Sequence, residues 1–312
     1  MNKLSSEASY YIKKYLDNKS AMMPVVMKSL IHDEVIPALQ SSGLLSRIVF
    51  QGGTALQRFY NNMRFSEDLD FVCGQGKSIT VLPEEFIEFG ERFEKDIRDV
   101  LEKKYEISPE KITLRQPKDP YALKGQDVKV QVWRLKVPVT LNRQKQMVKI
   151  EVANVPAHQT DNQFWPMLQG KPTSDFTKPC LLKVETAREI LADKLIALAC
   201  RNQVKYRDVW DYHILTSQGV AIDQNLVDLK FEDYGINKEP LLDHLEDKLS
   251  LLSDNKKASK EFWTEMSKFV FPGAVEQYKT VHLETEMINN VYQLLTNMTE
   301  QIEEELGFGQ RM

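Results

Sequence analysis

A short segment that alternates acidic and apolar residues constrains the fold of this 312-residue chain most. Asp68 and Asp70 alternate there with Leu69 and Phe71. Residues two apart in a β-strand point to the same side, so the segment predicts a strand with two carboxylates on one face and apolar side chains on the other. Two carboxylates this close repel each other and lose hydration, which is costly unless a cation or strong donors lie between them. The segment therefore indicates a site as well as a strand.

A glycine pair precedes this segment and adds a second part to the predicted site. Gly52 and Gly53 separate a predicted strand, residues 47–51, from a predicted short helix, residues 54–60. Glycine lets the backbone approach an anion closely, and a helix N-terminus offers N–H groups without helical partners. Together they predict a cradle for the triphosphate of an NTP beside the carboxylates. The hydroxyl and cationic side chains that would add to it are Thr54, Ser66 and Arg64.

The predicted carboxylate pair suits a divalent metal ion, either Mg²⁺ or Mn²⁺. Mg²⁺ binds one or two carboxylates, keeps several waters and completes its shell with phosphate oxygens. A third carboxylate is expected on a neighbouring strand, where Glu151 alternates with the apolar Ile150 and Val152. Glu151 is therefore a candidate metal ligand or general base, and the alternative is an ordinary solvated strand glutamate.

A lysine on a predicted apolar helix face is the third candidate. Lys194 shares the inward stripe of its helix, and a buried amine needs an acceptor or an anion. It would reach the nucleotide phosphates or extend to water. Asp208 and Asp211 follow, three residues apart on one helix face. They either contribute to the site or form a structural ion-pair network with Arg201 and Arg207.

The order of strand and helix patterns predicts two domains. Residues 1–180 mix both patterns and predict an α/β (α+β) domain, with a hairpin of strands 127–140 and 146–153 and helices at 22–40 and 84–105. Residues 161–179 are predicted to form a loop. Almost no strand signal follows Cys180, so residues 181–312 predict a helical bundle that would contribute Lys194 and Asp208 or Asp211 to the cleft.

The charge is unevenly distributed along the chain. The net charge of −4 argues against a protein that is mainly an electrostatic nucleic-acid binder. Residues 111–149 nevertheless carry ten Lys or Arg against two Asp, or +8, whereas residues 223–312 carry 18 acidic and 9 basic residues, or −9. One interpretation is that both segments form solvated faces. The other is that the basic segment lines an anion-binding site and the acidic segment belongs to a helical domain next to it.

Several classes of protein have no support in the sequence. Three Cys without a C-x-x-C motif exclude a disulfide framework and a Cys/His zinc site and are typical of a reducing cytosol. No apolar run reaches the roughly 20 residues that a bilayer requires, and no signal peptide is predicted, so we expect a cytoplasmic protein without membrane contact. The sequence contains neither a G-x-S-x-G nor an H-E-x-x-H motif, so it gives no support for a hydrolytic triad or a zincin.

At the residues discussed above, the sequence resembles the nucleotidyltransferase superfamily, whose signature is Gly-Gly or Gly-Ser followed by Asp-x-Asp. More narrowly, it resembles the AbiEii/AbiGii-type toxin nucleotidyltransferases. These pair a GGTxL…RxSxDLDF block with a later Kxx(A)L…R…RDxxD block, which here are residues 52–71 and 194–211.

The resemblance implies a nucleotidyltransferase-like first domain with a mixed sheet and assigns residues to roles. It implies that Asp68 and Asp70 bind divalent metal, that Gly52, Gly53 and Ser66 contact nucleotide phosphates, that Lys194 binds nucleotide, and that Asp208 or Asp211 completes the site. Proteins of this kind are toxins of bacterial toxin–antitoxin or phage-defence pairs, and some transfer nucleotides to the 3′ end of tRNA.

We therefore predict Mg²⁺-dependent transfer of NMP from an NTP to an acceptor hydroxyl, most simply of RNA, with pyrophosphate as leaving group. The basic region would guide the polyanionic acceptor. One alternative is a catalytically silent protein that binds a nucleotide or an antitoxin. The other is a kinase-like phosphoryl transferase that acts on its own Ser66.

Overall fold

The computed structural model describes residues 22–41, 43–73, 113–115, 132–141, 144–166 and 179–307, together with a few single positions. Most of the predicted helix at 84–105 and much of the basic region 111–149 lie outside the described residues; the few positions of that helix that are described, residues 91, 92, 95, 98 and 99, are helical. Within them, residues up to Thr186 form one compact unit, here called the sheet unit. Residues from Ala187 onward form a second, the helical unit.

The described strands of the sheet unit form one mixed sheet in the order β3-β4-β5-β2-β1-β7-β6. Strand β2, which carries Asp70, is central, since it pairs parallel with β5 and antiparallel with β1. The mixed sheet predicted for this domain is confirmed. The strands are β1 Val49–Gln51, β2 Leu69–Val72, β3 Thr113–Arg115, β4 Val132–Leu141, β5 Gln144–Ala153, β6 Thr160–Phe164 and β7 Leu181–Glu185.

Strands β4 and β5 form the predicted hairpin. They pair antiparallel along their full length, from Val132 opposite Ala153 to Leu141 opposite Gln144. Along β5, Val148, Ile150 and Val152 are buried and the residues between them are not. The alternation in the sequence therefore predicted the faces of this strand correctly.

Three of the described strands were not predicted: β3, which has only three residues, β6 and β7. Strand β7 follows Cys180, where we expected helices, and β6 lies largely in the predicted loop. The sequence of β6, Thr-Asp-Asn-Gln-Phe, is mostly polar. This suits its position as an edge strand, where all five residues are exposed or half-buried. Strand β7 has only two inward apolar positions, Leu182 and Val184, before Glu185. A pattern this short is too weak to distinguish a strand from a helix start.

Two helices of the sheet unit are described along their length: α1, Met23–Ser41, and α2, Gly52–Phe59. Helix α1 is buried along most of its length, and it continues past Pro37 to Ser41. Helix α2 begins at Gly52, two residues earlier than predicted, so the glycine pair forms its first turn. The aromatic core includes Phe50, whose ring centroid lies 5.1 Å from that of Phe71 and 5.6 Å from that of Trp165.

The described part of the helical unit is all-α, as predicted. Asp223, Asn237 and Asp254 cap three of its helices by accepting hydrogen bonds from backbone N–H groups. The sequence of residues 275–305 predicts one helix, but the structure has two, because His282 adopts a left-handed conformation between them. The helices are α3 Ala187–Cys200, α4 Tyr206–Ser217, α5 Gln224–Asp233, α6 Lys238–Ser253, α7 Asn255–Met266, α8 Pro272–Thr280 and α9 Leu283–Glu305. In the described part of the chain, none of the helices has the length and apolarity needed to cross a bilayer.

Candidate active site

Four polar residues lie side by side across the centre of the sheet. Gln51 of β1 is opposite Asp70 of β2, Asp70 is beside Glu151 of β5, and Glu151 is opposite Arg134 of β4. Residues paired in this way share one face of a sheet. Leu69, between the two aspartates, is fully buried on the other side. The row therefore forms a polar face, and Asp68, two residues before Asp70, extends it.

Side chains of this face approach Gly52 and Gly53 so closely that no larger residue fits at either position. Gly52 has φ +79°, and a Cβ atom there would lie 2.7 Å from Oδ2 of Asp70. A Cβ atom at Gly53 would lie 2.5 Å from Nη2 of Arg64 and 2.9 Å from Oγ of Ser66. Any other residue at either position would displace a predicted site residue. The structure thus brings Asp70, Arg64 and Ser66 against the first turn of α2.

Thr54 and Ser66 hold the chain that leads to the aspartates. The Thr54 hydroxyl donates to the backbone carbonyl of Asp68 over 2.5 Å, and the backbone N–H of Ser66 donates to Oε1 of Gln57 over 3.1 Å. Arg64 is 2% exposed, and its Nη1 donates to the carbonyl of Phe65. These contacts fix the loop between α2 and β2 and therefore the position of Asp68.

Asp68 is held against β5 by one residue, Lys149. The backbone N–H of Lys149 donates to Oδ1 of Asp68 over 3.2 Å, and its Nζ lies 3.2 Å from Oδ2. Burial raises the pKa of Asp68, and the opposing charge of Lys149 does not offset it. The ionised carboxylate is thus incompletely neutralised by the protein.

Glu151 pairs with Arg134, an interaction that the sequence did not reveal. Nε of Arg134 lies 2.5 Å from Oε1 of Glu151, and this hydrogen bond raises the pKa of Arg134. Glu151 lies on the polar face with Lys149, as predicted. Among the described residues, no group of three or more His, Cys, Asp or Glu side chains is arranged to hold a metal ion. A metal ion there would rest on Asp68 and Asp70, with water and substrate oxygens completing its shell.

In the helical unit, Lys194 joins the two aspartates of the second block. Its Nζ lies 2.8 Å from Oδ1 of Asp208 and 2.8 Å from Oδ2 of Asp211, and Arg201 also pairs with Asp208. Burial alone would raise the pKa of Asp208, but Lys194 and Arg201 hold it well below its ordinary value. The ion-pair network expected as one alternative is therefore present, although Arg207 pairs with Glu265 over 3.2 Å.

A second buried lysine of the helical unit is partnered in the same way. Lys230 is fully buried, and its Nζ lies 2.8 Å from Oε1 of Glu189 and 3.2 Å from Oδ2 of Asp193, both on α3. Helix α3 therefore makes buried ion pairs along its length, through Glu189, Asp193 and Lys194.

One protein family matches most of this chain. The profile of the family described as nucleotidyl transferase AbiEii toxin, type IV toxin–antitoxin system, matches residues 37–281. No curated protein matches the sequence.

Two solved structures from Helicobacter pylori resemble the chain weakly. JHP933 is 19% identical, with 91% of this chain and 98% of that chain covered and a TM-score of 0.37. A nucleotidyltransferase candidate is 18% identical, with 88% and 97% covered and a TM-score of 0.40. These scores are too low to support an argument, so the assignment rests on the family profile. The profile spans both blocks of the resemblance and confirms it: the chain belongs to the AbiEii family of type IV toxin–antitoxin systems and is a nucleotidyltransferase.

Proposed function

We propose that the enzyme transfers NMP from an NTP to a hydroxyl of RNA, with the 3′ end of tRNA as acceptor, and that the reaction depends on Mg²⁺ or Mn²⁺. The family implies an NTP substrate and an antitoxin partner. The observation that carries the proposal is the contact between the glycine turn and Asp70, which a Cβ atom at Gly52 would approach to 2.7 Å. The glycine turn, which would cradle the phosphates, adjoins the carboxylate face, and this supports nucleotidyl transfer. Such a reaction would take place in the cytoplasm, where NTPs and tRNA are present.

Asp68 and Asp70 are the residues that would hold the metal ion. The donor set fits, because Asp68 is half-buried and Lys149 does not offset the rise in its pKa, so that a divalent cation would relieve an existing electrostatic cost. When bound, the ion supplies positive charge next to the reacting phosphate. The predicted role of Glu151 as a third ligand or base competes with its pairing with Arg134.

The first turn of α2 would bind the triphosphate. Its backbone N–H groups at Gly52 and Gly53 have no side chains to shield them, and the positive end of the helix favours an anion. Arg64 and Ser66 lie against the same turn and would contribute charge and a hydroxyl. These groups would stabilise the pyrophosphate as it leaves and thereby lower the barrier to its departure.

We further propose that Lys194 binds nucleotide and that Asp208 and Asp211 hold its amine in position. The support is the family resemblance of the 194–211 block and the ion pairs of about equal length that Lys194 makes with both aspartates. An ammonium ion held by two carboxylates keeps its charge and its orientation, which a phosphate ligand needs.

The test is nucleotide labelling of RNA. The protein is incubated with Mg²⁺, total tRNA and each labelled NTP in turn, beside Asp70→Ala and, as a matched control, Asp247→Ala on the exposed side of α6. We expect labelled RNA with wild type and Asp247→Ala, and a decrease on the order of 10³-fold or more with Asp70→Ala. Equal labelling by wild type and Asp70→Ala, or no labelling with any NTP, would contradict the proposal.

A further inference from the structure

The polar row across the sheet has two different ends. It begins at Gln51, directly before the glycine turn, and passes through Asp70 and Glu151 to Arg134. Neighbouring strands lie about 4.8 Å apart, so Arg134 lies two strands, or about 10 Å, from Asp70. The glycine turn and Arg134 are therefore on opposite sides of the carboxylates.

The side of the row that contains Arg134 is cationic. Lys149 and Lys136 are paired across the hairpin two residues from the Glu151–Arg134 pair, so all four residues share the polar face. Lys136 and Lys149 are both half-buried. Three cations thus lie together beside the aspartates, on the side away from the glycine turn.

Arg134 is only partly used by its pairing with Glu151. Its side chain is 37% exposed, and one nitrogen, Nε, makes the hydrogen bond to Glu151. A guanidinium carries five N–H donors in a planar fork, and its outer edge matches two phosphate oxygens. Within the described part of the chain, Glu151 is its one ion-pair partner. Because the carboxylate of Glu151 binds the Nε side of the guanidinium, it fixes the direction in which the other N–H groups point.

We propose that Arg134 binds a backbone phosphate of the acceptor RNA, and that Glu151 is a positioning residue that orients Arg134 rather than a metal ligand. This inference rests on the proposed function, in which the glycine turn holds the triphosphate of the NTP. The acceptor must then approach from the other side of the aspartates, where Arg134 lies. Oε1 of Glu151 lies 2.5 Å from Nε of Arg134, so a metal ion at Glu151 would have to share the carboxylate with the guanidinium.

The experiment is a double-mutant cycle with Arg134→Gln, Glu151→Gln and the double variant. The KM for tRNA, the KM for NTP and the Mg²⁺ requirement are measured for each, and tRNA binding is followed separately by fluorescence anisotropy at several salt concentrations. Lys256→Gln, which removes an exposed charge from α7, is the matched control. Thermal unfolding of each variant identifies any that fails to fold, in which case Arg134→Met, which also removes the charge, replaces Arg134→Gln.

We expect Arg134→Gln to raise the KM for tRNA about tenfold, with little change in the KM for NTP. The slope of log K against log salt should fall by about 0.7–0.9, the value of one phosphate contact. Glu151→Gln should weaken tRNA binding only where Arg134 is present, so that the double variant resembles Arg134→Gln. The Mg²⁺ requirement should stay the same throughout.

Three outcomes would overturn the inference. An increase in the KM for NTP alone would place Arg134 on the triphosphate, and an unchanged salt slope would remove the phosphate contact. A higher Mg²⁺ requirement in Glu151→Gln, independent of Arg134, would make Glu151 a metal ligand. Absence of labelling by the wild type would instead contradict the proposed function, and the anisotropy measurement would still decide whether Arg134 contacts RNA.

Discussion

The two acidic clusters of this enzyme use similar residues and reach opposite electrostatic states. On the sheet, Asp68 is paired with a single lysine whose side chain is 42% exposed, and its pKa is raised. In the helical unit, Asp208 is paired with Lys194 and Arg201, and its pKa is lowered. Burial raises the pKa of both carboxyl groups, so the opposite net shifts come from the cations that lie beside each one.

The comparison separates two uses of buried charge. A carboxylate that the protein neutralises completely stabilises the fold at neutral pH, whereas an incompletely neutralised one costs stability and retains affinity for an external cation. The Lys194 cluster, like the Lys230 cluster on the same helix, belongs to the first kind. Asp68 belongs to the second, which is the electrostatic state expected of a metal ligand before metal binds.

The largest expected effect comes from removing the shared cation of the helical cluster. Lys194→Met leaves Asp208 and Asp211 buried with less positive charge, and we expect a loss of about 3–5 kcal/mol in the free energy of unfolding. Lys149→Met on the sheet removes a more exposed partner and should cost less than about 1 kcal/mol. Urea denaturation of both variants measures the difference, and equal losses would remove the contrast between the clusters.

The glycine turn offers a matched pair of substitutions with a smaller effect. Gly52 and Gly219 have φ +79° and +82°, but a Cβ atom would meet Asp70 at Gly52 and nothing within 4 Å at Gly219. Both Gly→Ala variants should lose about 1–2 kcal/mol from backbone strain. Only Gly52→Ala should also lose RNA labelling, by at least about tenfold, because Asp70 is displaced. Full activity of Gly52→Ala would show that this approach is not needed for the reaction.

The acid dependence of stability should reflect the helical cluster. Because the pKa of Asp208 is below its ordinary value of 3.8 in the folded protein, its stabilisation is complete above that value and is lost as the pH falls through the folded pKa. The melting temperature should therefore decrease below about pH 4. Asp208→Asn should be less stable at pH 7 and show a weaker decrease. An identical acid profile in the variant would assign the transition to other carboxylates.

The smallest expected effect has the opposite sign. The raised pKa of Asp68 means that its ionisation costs stability as the pH rises above 3.8 and through the folded pKa. Asp68→Asn removes that charge and keeps an acceptor for the backbone N–H of Lys149. In the presence of EDTA, we expect its melting temperature to rise by about 2–4 °C, the equivalent of about 1 kcal/mol. RNA labelling, measured separately with Mg²⁺, should be lost in this variant and kept by the wild type. A lower melting temperature would show that Lys149 already neutralises Asp68.

Local periodicity predicted much of the sheet unit but not its pairings. The alternation around Asp70 and Glu151 assigned both residues to polar faces, and the structure agrees. The sequence did not reveal that Arg134 lies opposite Glu151, because this depends on the register of the hairpin rather than on either strand alone. The contacts of Lys194 likewise depend on how α3 packs against α4. Strand β6 carries no apolar alternation to detect, since it is an edge strand.

The position of β2 in the sheet has a consequence for how this enzyme can be controlled. Among the described strands, three lie on each side of β2, so its amide hydrogens should exchange most slowly, since opening it requires the sheet to come apart. Asp70 should therefore leave its position only when the protein unfolds globally. Fraying of an edge strand or proteolytic cleavage of a surface loop would leave it in place. Local unfolding of the sheet is therefore a poor means of silencing the enzyme.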